Sequence, residues 1–408
     1  MKLSATLFIG ILFDIGVYAA PTHLIKFKGP IDGDTAHRLI FARHREFQLA
    51  MNKGDPTMVT TQALEQANQQ LGLDYIKIDS DFMAVTGEFP DAQFISYLEK
   101  QPYVDYVEPN QIYTAAVVLP RSEALKVAVA PNWGLARIRQ RKAGSYERYT
   151  FNDSAGSGID VYVLDTGVYV EHNDFEGRAE ISANFVRNED ERDHAGHGTH
   201  VAGKIAGRIY GVAKGANIKA VKILDAKGSG DTTNLLKGIA HVSSVATPGK
   251  SIVNLSLAGP PSAMVDSVIS IMVNRLGIPV FVASGNSGTD ACMFSPGRNP
   301  DVFAVGASDI DDGVPSYSDT GECVQLYAPG SDITSTWIGG PNAIKVKDGT
   351  SMSNPHVTGI AASLMAKHDY PSAKHVYKAL VADSTKDVLS FSFFAPEPNF
   401  NRLAYNPA

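Results

Sequence analysis

Three side chains of this 408-residue chain stand in settings suited to acyl transfer: Asp165 in VYVLDTG, His197 in HAGHGTHVAG and Ser351 in GTSMSNPH. A serine hydroxyl is a weak nucleophile until a neighbouring base takes its proton. Histidine serves as that base when a carboxylate holds its second ring nitrogen, which fixes the tautomer and stabilises the imidazolium. Ser351 also precedes a helical pattern, and developing negative charge is favoured at a helix N-terminus. Taken singly, a serine at a helix start is more often a cap.

The same letters admit other chemistry. His194, His197 and His200 are spaced three apart. That spacing spreads them around a helix and lacks the glutamate of a zinc hydrolase motif, so no metal site is expected, and His200 reads as structural. Asp-Thr-Gly occurs twice, at Asp165 and Asp319, and two carboxylates sharing a proton would make an aspartic protease. The first copy follows an apolar strand pattern. The second follows PSYS, which does not, and this rival leaves HGTH and GTSMS without a role.

The positioning elements belong to a doubly wound α/β domain over 131–408. IDVYVL, NIKAVKIL, SIVNLSLA, IPVFVAS and DVFAVGA are short, rich in β-branched residues and apolar on both faces, as strands of a covered parallel sheet must be. THVAGKIAGRIYG, TTNLLKGIAHVSSVA and MVDSVISIMVNRLG supply helical patterns between them. Such folds gather their sites at the carboxyl ends of strands, where Asp165 falls.

Ahead of that domain the chain reads in three parts. Residues 1–19 have a lysine, a short apolar run and small residues Val17 and Ala19, the pattern of a signal peptide. Residues 20–113 run β-α-β-β-α-β, a small α+β unit of ferredoxin-like order, with helices over AHRLIFARHREFQLAM, TQALEQANQQLG and DAQFISYLEKQP. Residues 114–130, with Pro120 and Pro131 as breakers, carry no period and read as an exposed junction open to proteolysis. A net charge of −7 offers no basic surface for nucleic acid, and beyond the leader no stretch is apolar enough to span a bilayer. The expected protein is exported and soluble, either secreted or kept in a vacuole or similar compartment. Its two cysteines, Cys292 and Cys323, are either one disulfide or two separate buried thiols.

These motifs together resemble the subtilisin-like serine proteases (peptidase S8), in the fungal proteinase K and cerevisin branch, and YVDYVEPNQ resembles the inhibitor I9-type propeptides of their zymogens. The order Asp165, His197, Ser351 is that of the subtilisin lineage. The resemblance implies a subtilisin-like, mainly parallel sheet and a broad-specificity serine endopeptidase acting on proteins and peptides. Its propeptide would act as an intramolecular inhibitor, and the enzyme would be a monomer with neither nucleic-acid nor membrane partners. Asn286 then corresponds to the oxyanion donor, beside the backbone N–H of Ser351. Gly228, Ser229 and Gly230, with Ser256, Leu257, Ala258 and Gly259, correspond to strands that bind substrate by main-chain pairing. Ser256–Gly259 with Ser284, Gly285 and Asn286 would line the pocket before the scissile bond; the absence of charge there implies an apolar preference.

The resemblance also implies a Cys292–Cys323 bond. Pro355, by its own chemistry, is expected within the first turn of the helix that follows Ser351. Three residues depart from the branch: Ser353, Asn354 and Thr358 replace the usual Ala, Thr and Ala. Gln325 stands where the branch commonly has an aspartate ligand for calcium. A neutral amide binds that ion less well, so no cofactor and no metal are expected. The alternatives are a silent zymogen that binds peptides without cutting them and the aspartic protease above. Asn152 and Asn254 head glycosylation sequons, Asn254 in a predicted buried strand.

Overall fold

The computed structural model describes residues 21–51, 71–89, 91–118, 133–147, 149–393, 395–396, 398 and 400–407. The expected leader (1–19), almost all of the helix over 61–72 and positions 119–130 of the junction lie outside the described residues. The described residues fall into two compact units, one drawn from 21–75 and 84–107 and one drawn from 76–83 and 108–407.

In the N-terminal part β1 (His23–Phe27), α1 (Gly33–Met51), β2 (Asp74–Ile78), β3 (Phe82–Gly87), α2 (Ala92–Glu99) and β4 (Val104–Pro109) follow the expected alternation. The strands order as β2-β3-β1-β4, the arrangement of a split β-α-β unit. Asp91 caps α2 by accepting from the backbone N–H groups of Gln93 and Phe94, as its position before an apolar helical run suggests.

The larger part contains β5 (Ile112–Ala115), α3 (Trp133–Arg137), β6 (Asp160–Asp165), β7 (Ala179–Asn184), α4 (His197–Ala206), β8 (Asn217–Lys222), β9 (Ser229–Asp231), α5 (Thr232–Val245), β10 (Ser251–Leu255) and β11 (Leu257–Ala258). It continues with α6 (Ala263–Asn274), β12 (Val280–Ala283), β13 (Phe303–Ser308), β14 (Val324–Pro329), β15 (Ile333–Thr336), β16 (Ile344–Lys347), α7 (Thr350–Lys367), α8 (Ala373–Asp383), β17 (Thr385–Lys386) and β18 (Arg402–Leu403). Nine strands form one sheet, β17-β18-β14-β13-β12-β10-β6-β8-β7. All its neighbours pair in parallel except the terminal β17–β18 pair. Every residue of β10, β12 and β13 is buried, which is why these strands read as unbroken apolar runs. Edge strand β7 is half polar, and its sequence gave no strand signal. Asp231 and Ser262 cap α5 and α6 through the N–H groups of Asn234 and Val265.

The junction expected over 114–130 begins inside a strand, which holds its first residues, Thr114 and Ala115. Ile112–Ala115 is the central strand of a three-stranded sheet, β11-β5-β9, with Tyr113 fully buried. Two flanking strands supply its backbone partners, and a side-chain pattern cannot report pairing of that kind. Among the described residues no helix is long and apolar enough to cross a membrane.

Cys292 and Cys323 form a disulfide closing 31 positions of chain. Cys323 packs against a small cluster of Ala291, Val324, Tyr327, Leu389 and Leu403. Replacing both cysteines by alanine should cost about 2–4 kcal/mol, read from urea unfolding with midpoint and m-value both fitted, since the uncrosslinked unfolded chain exposes more surface; an unchanged stability would show that the loop is held by its packing alone.

Candidate active site

Asp165 ends β6, so its carboxylate emerges at the carboxyl edge of the parallel sheet. Its Oδ1 accepts the backbone N–H of Thr166 and lies 2.7 Å from Nδ1 of His197. Nδ1 is therefore the protonated nitrogen, and Nε2 carries a free lone pair. Nε2 is buried and has no hydrogen-bond partner. His197 opens α4, and an added Cβ at the next residue, Gly198, would lie 2.1 Å from the carbonyl oxygen of Gly167. Only glycine lets the helix come this close to the Asp165 loop.

Asp193, which carried no sequence signal, locks that approach. One of its oxygens accepts Thr166 Oγ1–H and the N–H groups of Ala195 and Gly196; the other accepts the N–H and hydroxyl of Thr199. Thr166 Oγ1 in turn accepts from Gly198 N–H at 2.9 Å. The carboxylate thus caps α4 and ties it to the DTG turn.

Ser351 is the second residue of α7 and is fully buried. Its hydroxyl donates to the carbonyl of Ser256 at 2.9 Å, and the Ser256 hydroxyl donates back to the Ser351 carbonyl at 3.3 Å. That carbonyl needs a partner because Pro355, four residues on, has no N–H. Pro355 is the sixth residue of the helix, one turn deeper than expected. The three departures lie along the same helix. Asn354 Nδ2 donates to Asn254 Oδ1 and the carbonyls of Leu255 and Phe281, while Thr358 Oγ1 donates to Asn254 Oδ1. Asn354 and Thr358 therefore act together in fastening α7 to β10 and β12. Ser353 Oγ is buried without a partner, and nothing in the structure explains it.

Asn286 lies in the loop after β12. Thr350 holds its amide oxygen through both backbone N–H, at 2.9 Å, and Oγ1, at 3.0 Å. This orients Nδ2, which is buried and unpartnered, as a free donor. Thr350 gave no sign of this role in the sequence beyond adjoining Ser351.

The expected substrate strands flank a groove. Ser229 and Gly230 lie in β9 with Gly228 just before it, Leu257 and Ala258 form β11 between Ser256 and Gly259, and β5 of the chain itself lies between β9 and β11. A cavity of about 520 Å³ opens beside it, with Ala116, Ala258, Gly259, Gly285 and Asn286 among its walls. Ser256, Leu257 and Ser284, all expected there, do not line it. Ser284 instead donates to the Asp319 carbonyl, and Asp319 and Phe294 join the cavity walls unforeseen.

Asp319 is not half of a carboxylate dyad. Its Oδ1 accepts the N–H groups of Ser287 and Thr289, no hydrogen bond joins it to Asp165, and Oδ2 is buried without a partner. Burial pushes its carboxyl up to about 6, against the pull of those N–H groups.

The three histidines do not converge. His194 bonds exposed Asp190, whereas His200 Nε2 donates to the carbonyls of Ile333 and Lys345. Full burial lowers the His200 value to about 3, so that ring stays neutral. Gln325 spends its side-chain oxygen on the N–H of Ala304, and among the described residues no group of three or more His, Cys, Asp or Glu forms a metal donor set. The residues present do not fit a calcium ion at Gln325.

The subtilase (Peptidase S8) family model matches residues 156–399. Subtilisin-like protease 1 of Pseudogymnoascus destructans is 41% identical over 316 residues, covering 78% of this chain and 76% of its own. Cerevisin of Saccharomyces cerevisiae is 36% identical over 357 residues, covering 82% of this chain and 54% of its own. The crystal structure of a cold adapted subtilisin-like serine proteinase superposes with a TM-score of 0.64 at 37% identity, over 69% of this chain and 100% of that one. The fold and these matches define a serine endopeptidase, and the chain belongs to the subtilase family.

The Asp319 environment gives a signed expectation. Its folded value lies above the usual carboxylate range, so the native state holds more protons than the unfolded one between about pH 4 and 6, and its contribution to stability falls as pH rises through that window. Asp319→Asn keeps an oxygen for Ser287 and Thr289 and removes the charge. In an inactive Ser351→Ala background it should raise the melting temperature at pH 7 but not at pH 4; equal shifts at both would refute the assignment.

Proposed function

We propose that this chain is a secreted zymogen whose peptidase domain cuts proteins through Asp165, His197 and Ser351. The observation that carries the reading is the buried, unpartnered Nε2 of His197, set by the 2.7 Å bond from Nδ1 to Asp165. In the reaction Ser351 gives up its bond to Ser256 and passes its proton to Nε2 as Oγ attacks the substrate carbonyl. Asp165 supports the imidazolium. Asn286 Nδ2 and the Ser351 N–H stabilise the oxyanion, and His197 then returns the proton to the departing amine. Residues 20–113 assist folding and keep the cleft closed until the chain is cut.

Substrates bind as an added strand between β9 and β11, so affinity rests on main-chain bonds and specificity is broad. The cavity, lined by Val117, Ala258, Pro260 and Phe294 among others, favours apolar side chains, with Asp319 as a local exception. The protein acts as a monomer without cofactor. Asn152, whose side chain is in an exposed turn with Ser154, is the better glycan site, because Asn254 is fully buried.

Ser351→Ala should abolish peptide hydrolysis while leaving the unfolding midpoint within the range of a surface change. Asn286→Ala should lower kcat by about 100- to 1,000-fold at nearly constant KM, because its donor acts mainly on the oxyanion. A loss confined to KM would sink the oxyanion role. Chelator should leave thermal stability of the full chain nearly unchanged; a large drop would reveal a cation site that the reading omits.

A further inference from the structure

The strand in the groove continues past β5 through the catalytic residues. Ala115 N–H donates to the Gly228 carbonyl at 2.9 Å, and Ala116 N–H donates to the Ser256 carbonyl at 3.1 Å. The Ala116 carbonyl then accepts the backbone N–H of Ser351 at 3.3 Å. An ideal Cβ on Gly349 would lie 2.7 Å from that same oxygen and 3.1 Å from Asn286 Nδ2, so oxygen and free donor share one face of Gly349. Beyond it, Val118 N–H donates to the Asp348 carbonyl at 3.0 Å. Contacts on both sides of one peptide bond therefore tie the chain across the nucleophile. Of the carbonyls in this segment, only that of Ala116 meets the Ser351 N–H.

The register is pinned from behind. The Tyr113 ring is fully buried against Gly259, where an added Cβ would come within 2.5 Å of it, and its hydroxyl donates to the Pro260 carbonyl at 3.1 Å. A one-residue slip would move this ring to the opposite face of the strand. Asn110 Oδ1, which accepts Thr233 N–H at 3.0 Å, holds the strand's entry. At Ala116 the backbone turns sharply, with Val117 N–H donating to the Ala115 carbonyl at 2.9 Å. That turn lifts the Ala116 carbonyl out of the strand ladder.

We propose that Ala116–Val117 is the bond this enzyme cuts in its own chain. The assignment rests on the self-processing zymogen reading given above. Ser351 Oγ adds to the Ala116 carbonyl carbon while its proton passes to His197 Nε2. The carbon–nitrogen bond to Val117 then breaks, and His197 returns the proton to the Val117 nitrogen. Water hydrolyses the Ala116 ester on Ser351, leaving a carboxylate at Ala116, a free amine at Val117 and a restored serine. The cut separates a chain ending in Tyr113-Thr114-Ala115-Ala116, still paired in the groove, from the peptidase domain. The freed segment thus inhibits as a bound product.

The test follows the full chain and its Ser351→Ala variant through early time points after refolding, with intact masses and terminal sequences of both fragments. A first fragment ending at Ala116, its complement beginning at Val117, and neither in Ser351→Ala, are expected. A Ser351-dependent first cut at another bond overturns the Ala116–Val117 assignment and leaves the zymogen reading standing. The same cut in Ser351→Ala overturns the zymogen reading itself. Because a variant chain can fail to fold, a synthetic peptide of residues 110–120 given to the matured enzyme supplies a second measurement. It should be cut after Ala116, with Val117→Pro and Tyr113→Asp peptides cut at least about tenfold more slowly. Equal rates for all three peptides, or cleavage elsewhere, would overturn the proposal.

Discussion

The site depends on how closely α4 approaches the end of β6. The His197–Asp165 bond of 2.7 Å exists because Gly198 has no side chain to strike the Gly167 carbonyl. A larger residue would move the ring away from its carboxylate, and both nitrogens would lose their assigned roles. Asp193 holds this contact from outside. It accepts five hydrogen bonds from the turn and from the first residues of the helix, a density that fixes the loop as a unit. Rigid placement of this kind holds the His197 ring in one orientation, with Nδ1 on the carboxylate and Nε2 free.

A second constraint runs through α7. Helix α7, Ser256 beside β11 and the Asn286 loop share hydrogen bonds that leave little independent freedom. Ser256 accepts from Ser351 and from Ala116 through one carbonyl, while its own hydroxyl supports the Ser351 carbonyl that Pro355 leaves open. Thr350 fixes the Asn286 amide from the same turn. Asn354 and Thr358 fasten the helix underneath through Asn254. Two of the residues that depart from the family pattern thus form one connected polar group. Such a group is stable only when satisfied as a whole, and changing one member would strand the others.

The groove shows how a cleft of backbone partners works. β9 and β11 offer main-chain donors and acceptors that any extended segment can use, and the chain's own Ile112–Ala115 takes that place here. Selectivity then depends on the few positions where side chains are enclosed. Tyr113 fills one such position fully, while the methyl group of Ala116 leaves a cavity of about 520 Å³ beside it. The carboxylate of Asp319 on that wall is held partly against its charge by burial.

By itself the sequence determined the α/β class and the order of the buried strands, and it singled out Asp165, His197, Ser351 and Asn286 as candidates. Those features are written in local patterns: doubly apolar strands, capped helices and short motifs whose chemistry is explicit. It also marked Cys292 and Cys323 as partners through resemblance. Only the tertiary structure decided which nitrogen of His197 is free, how Thr350 aims Asn286, and that Asp193 locks the helix to the turn. Each of these rests on residues 27 to 64 positions apart meeting through specific atoms. The strand Ile112–Ala115 was equally hidden, because its pairing partners lie more than 100 positions away and recognise backbone, which every sequence carries alike.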